Sequence, residues 1–294
     1  MTARHVRIHP PVPHDGTDAE ARPELAAERR ALGLPAGTWS GLIAPVVIGV
    51  LVLGFWEAVV RLKGIPPYIL PGPLLIGETL ISDWSTLSRS LLITLRITLA
   101  ALAAAVLVGV LLAIVFTQSK WLEKSLFPYA VILQVTPVIA IAPLLLIYLP
   151  QRTAVIACAW IVGFFPVLSN TTLGLNSVDR NLIELYRLYG ASPAQVLFRL
   201  KLPSALPNML TGIRIAGGLS LVGAVVAELA AGSGGAGSGL AYRIAESQYR
   251  LNIPRMFAAL ILLSFAGVVI FFALSGLSYL LLRRWHESAL TREA

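Results

Sequence analysis

An all-α integral membrane fold with six transmembrane helices is what this 294-residue sequence predicts, and three observations carry the prediction. Hydrophobic residues make up 56% of the chain and charged residues 13%, whereas soluble domains are about a quarter charged. The mean hydropathy of +0.78 implies more apolar surface than a soluble core of this size can hide. Six apolar stretches recur along the chain, each near or above the roughly 20 residues that cross about 30 Å of hydrocarbon.

Taken in order, residues 1–40 are polar, rich in Pro, Ala and Arg, and lack apolar periodicity, so they are expected to form a disordered tail. A signal peptide needs an apolar stretch soon after its basic start. The first such stretch begins only near Gly41 and is long enough to span, so it is read as a helix and not a cleaved leader. The expected spans are 41–60, 91–116, 126–149, 154–175, 210–231 and 257–282, within a transmembrane domain of 41–283 followed by a short tail, 284–294. Pro150, Gln151 and Arg152 alone separate the third and fourth spans, which makes a tight hairpin. Pro137, Pro143 and Pro166 interrupt those spans and are expected to kink them, because neighbouring helices in a bundle can satisfy the freed carbonyls; a pore-lining break is the alternative.

Orientation follows from Lys and Arg. The segments 1–40, 117–125, 176–209 and 283–294 hold fourteen of them, and the alternate segments hold seven. Basic excess marks the cytoplasmic side, so both termini are expected inside. The net charge of +8 is spread over these short segments with no dense basic stripe, which argues against nucleic acid and for contact with anionic lipid headgroups. Trp56, Tyr68, Trp84, Trp121, Tyr129, Tyr148, Tyr279 and Trp285 stand near span ends, where an interfacial aromatic belt is expected.

The segment 176–209 is unusually well punctuated for a loop. Asp179 is placed to cap a short helix ending near Tyr189. Gly190 supplies the left-handed residue that terminates it. Ser192 caps a second helix, Pro193 takes its first position, and Gln195 completes a capping box. Pro203 and Pro207 are expected to stop that second helix before the fifth span. Two short helices at an angle suggest a docking surface, with Val196, Leu197, Leu200 and Leu202 as apolar anchors and Arg187, Arg199 and Lys201 for charge pairing.

The spacing of Glu184, Gly190, Leu200, Leu202 and Pro203 resembles the EAA loop of ABC-importer permeases, with Leu185 and Tyr186 in place of the two alanines. The likeness covers roughly residues 68–284. Leu70-Pro71-Gly72-Pro73 and Ala227-Glu228 resemble permeases for nitrate, sulfonate, taurine and related solutes. The stretches 237–244 and 252–257 resemble a branch linked to thiamine-pyrimidine precursors or riboflavin. This resemblance implies a cytoplasmic coupling-helix loop between helices four and five, in which Glu184, Gly190, Ala191, Ser192, Pro193, Leu200, Leu202 and Pro203 meet a separate ATP-binding subunit. It further implies an inner-membrane location, a second permease copy, a periplasmic or lipid-anchored solute-binding protein, and ATP with Mg bound by the partner and not by this chain.

Charges within spans are expensive and usually functional. Glu57 is expected to reach the interface, whereas Arg96 and Glu228 are candidates for the translocation path or its gate. The alternatives are a stand-alone six-span secondary transporter and a membrane-embedded enzyme. Against the enzyme, His5, His9, His14 and His286 all lie in the tails, no HExxH occurs, and Cys158 is a single cysteine inside an apolar run. No GxxxxGK[ST] occurs, so ATP hydrolysis is assigned to another chain. The 232–237 run spells GxGxxG but follows a membrane helix instead of a strand, so it is read as a turn and not as a dinucleotide site.

Overall fold

The computed structural model describes residues 38–232 and 237–283, with side chains from Ile43 onward. The expected tails up to residue 37 and from 284, His5, His9, His14, His286 and Trp285 with them, and residues 233–236 of the glycine-rich run lie outside the described residues. Ten helices connected by short turns account for most of the described chain, and no strand occurs among these residues.

The first helix, α1 (Thr38–Leu62), forms a compact unit by itself up to Val59. In the second unit, α2 (Pro73–Ser82) begins with proline at its first position, where the missing N–H costs nothing. Helix α3 (Trp84–Gln118) is followed by α4 (Lys120–Val135), α5 (Val138–Tyr148), α6 (Gln151–Asn176) and α7 (Arg180–Leu188). Next come α8 (Pro193–Ala231), α9 (Leu240–Tyr249) and α10 (Ile253–Leu282). Five of these helices are long and apolar enough to cross a bilayer, or six if the bent pair α4–α5 counts as one span.

That pair corrects the expectation of a single kinked helix over 126–149. The chain turns through 98° between Val135 and Val138. Pro137 has no N–H and drives the preceding residue out of the helical region; Thr136 is accordingly extended, at φ −70° and ψ 123°. The Thr136 N–H and hydroxyl both donate to the Ile132 carbonyl, at 3.1 and 2.7 Å, and so close the last turn. Pro143 and Pro166, by contrast, lie inside uninterrupted helices.

A second correction concerns Pro203 and Pro207, which do not stop the helix that Ser192 begins. It passes through a π-helical turn, Leu197–Lys201, and continues as the long membrane helix to Ala231. At this turn the Leu202 N–H donates to the Leu197 carbonyl, five residues back. The widened turn brings Pro203 into the first turn of the resumed α-helix, where a proline is tolerated.

Helix α6 is the centre of the bundle, packed between α3 and α8. Lipid tails are as apolar as leucine, so close backbone approach and not exclusion from water holds such helices together. A Cβ at Gly212 would come within 2.6 Å of the Pro166 carbonyl oxygen, and one at Gly223 within 2.8 Å of Ala159 Cα. Around these contacts Phe116, Leu168, Leu175 and Ala205 are buried toward one end, and Val155, Cys158, Ala159 and Ala227 toward the other. The alternating helix directions place Gln118, Asn176 and Leu202 at the first end, which carries the 176–209 segment, and Trp84, Gln151 and Ala231 at the opposite end.

Candidate functional site

Two regions have the geometry of a site, one at each end of the bundle. At the loop end, the helix-pair punctuation takes the expected form. The Asn181 N–H donates to the Asp179 carboxylate at 2.9 Å and opens α7. Gly190 ends it at φ +73°, and beyond its chain neighbours no atom lies within 4 Å of where its Cβ would be. The Gln195 N–H donates to Ser192 Oγ at 3.3 Å, and the Ser192 N–H donates to Gln195 Oε1 at 2.7 Å, so both halves of the capping box are made. The starts of both helices are thus satisfied within the segment itself.

The surface it presents differs from the expected one. Val196 and Leu197 are buried, and Leu197 packs with Phe116, Leu175 and Ala205 of the bundle. Leu200 and Leu202 are half-buried. The apolar side chains that point outward are instead Leu182, Leu185, Leu188, Tyr189 and Phe198, with Leu188 84% and Tyr189 85% exposed. Glu184, Ser192 and Pro193 are exposed among them, and Ala191 and Pro203 are half-buried. Beside the loop, Lys120 pairs with Glu123 at 3.0 Å and donates to Asn176 Oδ1 at 3.5 Å, tying the start of α4 to the end of α6.

At the opposite end, a cavity of about 440 Å³ opens between α3, α6, α8 and the start of α9. Arg96 and Glu228, singled out separately in the sequence, both line it. Glu228 is 6% exposed. Thr94 Oγ1 donates to the two Glu228 carboxylate oxygens, at 2.9 and 3.2 Å, and the Ala241 N–H donates to Oε2 at 3.1 Å. The same Thr94 oxygen accepts the Leu240 N–H at 2.9 Å. Leu240 and Ala241 are the first residues of α9. A helix leaves its first N–H groups unpartnered and carries partial positive charge there. Glu228 and Thr94 therefore cap α9 from two other helices. Gly239 lies against the carboxylate so closely that a Cβ there would collide with it.

Further contacts fasten α9 in place. Arg243 Nε donates to Ser90 Oγ of α3 at 3.1 Å, and Glu246 receives Arg243 at 2.8 Å and Arg250 at 3.1 Å. The Arg243 hydrogen bond holds the Glu246 carboxyl below the usual carboxylate range. Asp83, between α2 and α3, pairs with Arg255 of α10 at 3.3 Å. Arg152 and Tyr242, which the sequence did not distinguish as site residues, line the cavity with Arg96. Arg214 lies inside α8, and its Nε is buried without a hydrogen-bond partner among the described residues. No group of three or more metal-ligating side chains occurs among the described residues.

Residues 105–292 match the family described as the binding-protein-dependent transport system inner membrane component. The chain belongs to that family. The permease is 33% identical to the formylaminopyrimidine transport permease protein ThiX of Halalkalibacterium halodurans, over 82% of this chain and 95% of that one. It is likewise 33% identical to the riboflavin transport system permease protein RibX of Chloroflexus aurantiacus, over 90% of this chain and 98% of that one. A putative aliphatic sulfonates transport permease protein SsuC of Bacillus subtilis is 30% identical, covering 85% and 87%. Among solved structures, the permease superposes on an amino acid ABC transporter described as crystallised with histidines, at a TM-score of 0.55 and 22% identity, covering 69% of this chain and 96% of that one. That likeness speaks for the fold. The permease is thus a non-enzymatic, multi-pass inner-membrane subunit of an ABC transporter.

Proposed function

We propose that this permease forms the translocation path of a binding-protein-dependent importer for a small solute and is driven from the 176–209 segment by a separate cytoplasmic ATP-binding subunit. The observation that carries the proposal is the outward face of that segment. Leu188, Tyr189 and Phe198 stand exposed beside Arg187 and Arg199 on a helix pair whose ends are capped. Exposed large apolar groups on an ordered element, rimmed by charge, suit a partner and not water. The basic excess favours placing this face in the cytoplasm, with both termini inside. Glu184, Gly190, Ala191, Ser192, Pro193, Leu200, Leu202 and Pro203 shape the segment or its contact and perform no chemistry.

One chain carries one such segment, so two copies work as a pair, most simply identical, with two ATP-binding subunits. A solute-binding protein delivers the solute at the opposite end, where Arg96 and Glu228 border the cavity. Closure of the ATP-binding subunits around ATP then biases the pair between inward-facing and outward-facing states. The relatives named for formylaminopyrimidine, riboflavin and sulfonates support a small organic or anionic solute.

Glu184→Ala and Gly190→Ala test the docking role. The second imposes a side chain at φ +73° without a steric collision, so it perturbs only the turn between the helices. Both variants are expected to reach the membrane, to lose co-purification with the ATP-binding subunit, and to lose uptake. Normal assembly together with normal uptake in both would refute the docking role.

A further inference from the structure

The loop end of the bundle holds a second cavity, separate from the outward face of the helix pair and from the cavity at the opposite end. It is a groove of about 530 Å³ between α4 and α6. Helix α4 lines it with Lys120, Glu123, Lys124, Phe127 and Pro128, the i, i+3, i+4, i+7 and i+8 positions of one helix face. Helix α6 closes the other side with Thr172, Leu173 and Asn176. The wall is graded. Its charged residues stand in the first turns of α4 beside Asn176, and Phe127, Pro128 and Leu173 lie deeper. From Lys120 to Pro128 the polarity falls away over about 12 Å of helix.

The charged end is not balanced. Glu123 is committed to Lys120 at 3.0 Å and to the Asn176 amide at 3.5 Å. Lys124 makes no hydrogen bond or ion pair among the described residues. Both lysines also stand near the positive end of the α4 dipole, where cations are disfavoured and anions favoured. About one turn from Asn176, Thr172 is 5% exposed, and its Oγ1 is buried without a hydrogen-bond partner among the described residues. Buried hydroxyls are nearly always hydrogen-bonded. Topogenic charge explains lysines at this end of the bundle, but not an unsatisfied hydroxyl in the wall they share.

An anion placed between the lysines and Thr172 satisfies all three groups. A soluble phosphate leaves the apolar half of the groove unused, whereas a phospholipid matches the whole gradient. The depth agrees, because Trp121, exposed in the same first turn, is a residue favoured at headgroup level. Lysines clustered beside a membrane helix also attract anionic headgroups. We propose that this groove seats an anionic phospholipid, with Lys120 and Lys124 on its phosphate, Thr172 donating to a phosphate or ester oxygen, and the acyl chains lying along Phe127, Pro128 and Leu173.

The test uses the full chain, purified in a neutral detergent and followed by native mass spectrometry as phosphatidylglycerol or phosphatidylcholine is added. The first phosphatidylglycerol is expected to bind about tenfold more tightly than phosphatidylcholine, as two lysines at a membrane surface would give. Lys124→Gln should weaken it about fivefold. Thr172→Val keeps the shape of the side chain and removes only the hydroxyl, and should also weaken it about fivefold. Lys63→Gln removes the same charge after α1 and should change nothing. Equal retention of both lipids by the wild type, unchanged retention in both groove variants, or an equal loss in Lys63→Gln would each overturn the proposal. Glycerol 3-phosphate in large excess carries the phosphate without acyl chains; if it displaces the lipid, the groove is a soluble-phosphate site and the lipid assignment fails. If the lipid is expelled when a second copy or the ATP-binding subunit joins, the groove is a protein interface and the proposal fails as well. The wild-type comparison requires no variant to fold.

Discussion

Glu228→Ala is the most informative perturbation of the α9 clasp. The carboxylate accepts from the Thr94 hydroxyl and the Ala241 N–H in a site that is 6% exposed. Truncation leaves both donors buried without their acceptor, and each unsatisfied group costs about 1–3 kcal/mol. Relief of the desolvated carboxylate offsets part of this, so a net loss of about 2–4 kcal/mol is expected. Glu228→Gln keeps an amide oxygen for Ala241 and gives up the charge and the shorter of the two Thr94 contacts, so its loss should be about 1 kcal/mol. Two measurements together check the difference: the thermal midpoint of the purified permease, and hydrogen exchange at the amides of 240–243. The alanine variant should show the larger drop and faster exchange confined to the start of α9, and the glutamine variant should fall between it and the wild type. Equal midpoints for both variants, or no change in exchange at Leu240 and Ala241, would refute the capping argument.

Other outcomes follow from the same geometry. Gly212→Ala drives a methyl group against the Pro166 carbonyl, a backbone atom that cannot swing aside, whereas Gly276→Ala meets nothing within 4 Å. The first should lower the thermal midpoint by the equivalent of about 1–3 kcal/mol and the second by less than about 0.5 kcal/mol. Glu246→Gln removes a carboxylate whose folded pKa is held down chiefly by Arg243. A depressed folded pKa stabilises above the unfolded value near 4.5 and is lost as pH falls through the folded one. The variant should therefore melt lower than wild type at pH 7, by about 1 kcal/mol or less, and the gap should shrink as pH drops below about 4. Ser192→Ala breaks the capping box and should loosen the start of α8 by about 1 kcal/mol, read as faster exchange at the Gln195 amide and weaker retention of the ATP-binding subunit.

Much of the architecture was legible in the sequence, because burial in lipid demands long apolar runs and helix ends demand caps. The runs at 91–116, 154–175, 210–231 and 257–282 each fall inside a membrane helix of the structure. Asp179, Gly190, Ser192, Pro193 and Gln195 all take the local positions expected of them, since each acts on backbone groups within a few residues. The outcomes that departed from expectation depend on what surrounds a residue. Whether a proline kinks, breaks or passes through a helix rests on neighbouring geometry. Pro137 stands at a sharp break, Pro166 lies in an unbroken helix, and Pro203 is absorbed by a π turn.

The site divides along the same line. Arg96 and Glu228 could be singled out from sequence because a charge within a span is conspicuous wherever it points. That they border one cavity, that Arg152 joins them, and that Thr94 and Glu228 are spent on capping α9 are relations between residues up to 146 positions apart. The sequence by itself determined the class of protein, its spans and the capped helix pair, because these follow from local composition and short-range hydrogen bonding. Only the tertiary structure decided which side of α8 faces outward, where the third span breaks and which polar groups cap α9, because each of these depends on which distant backbones pack close enough to touch.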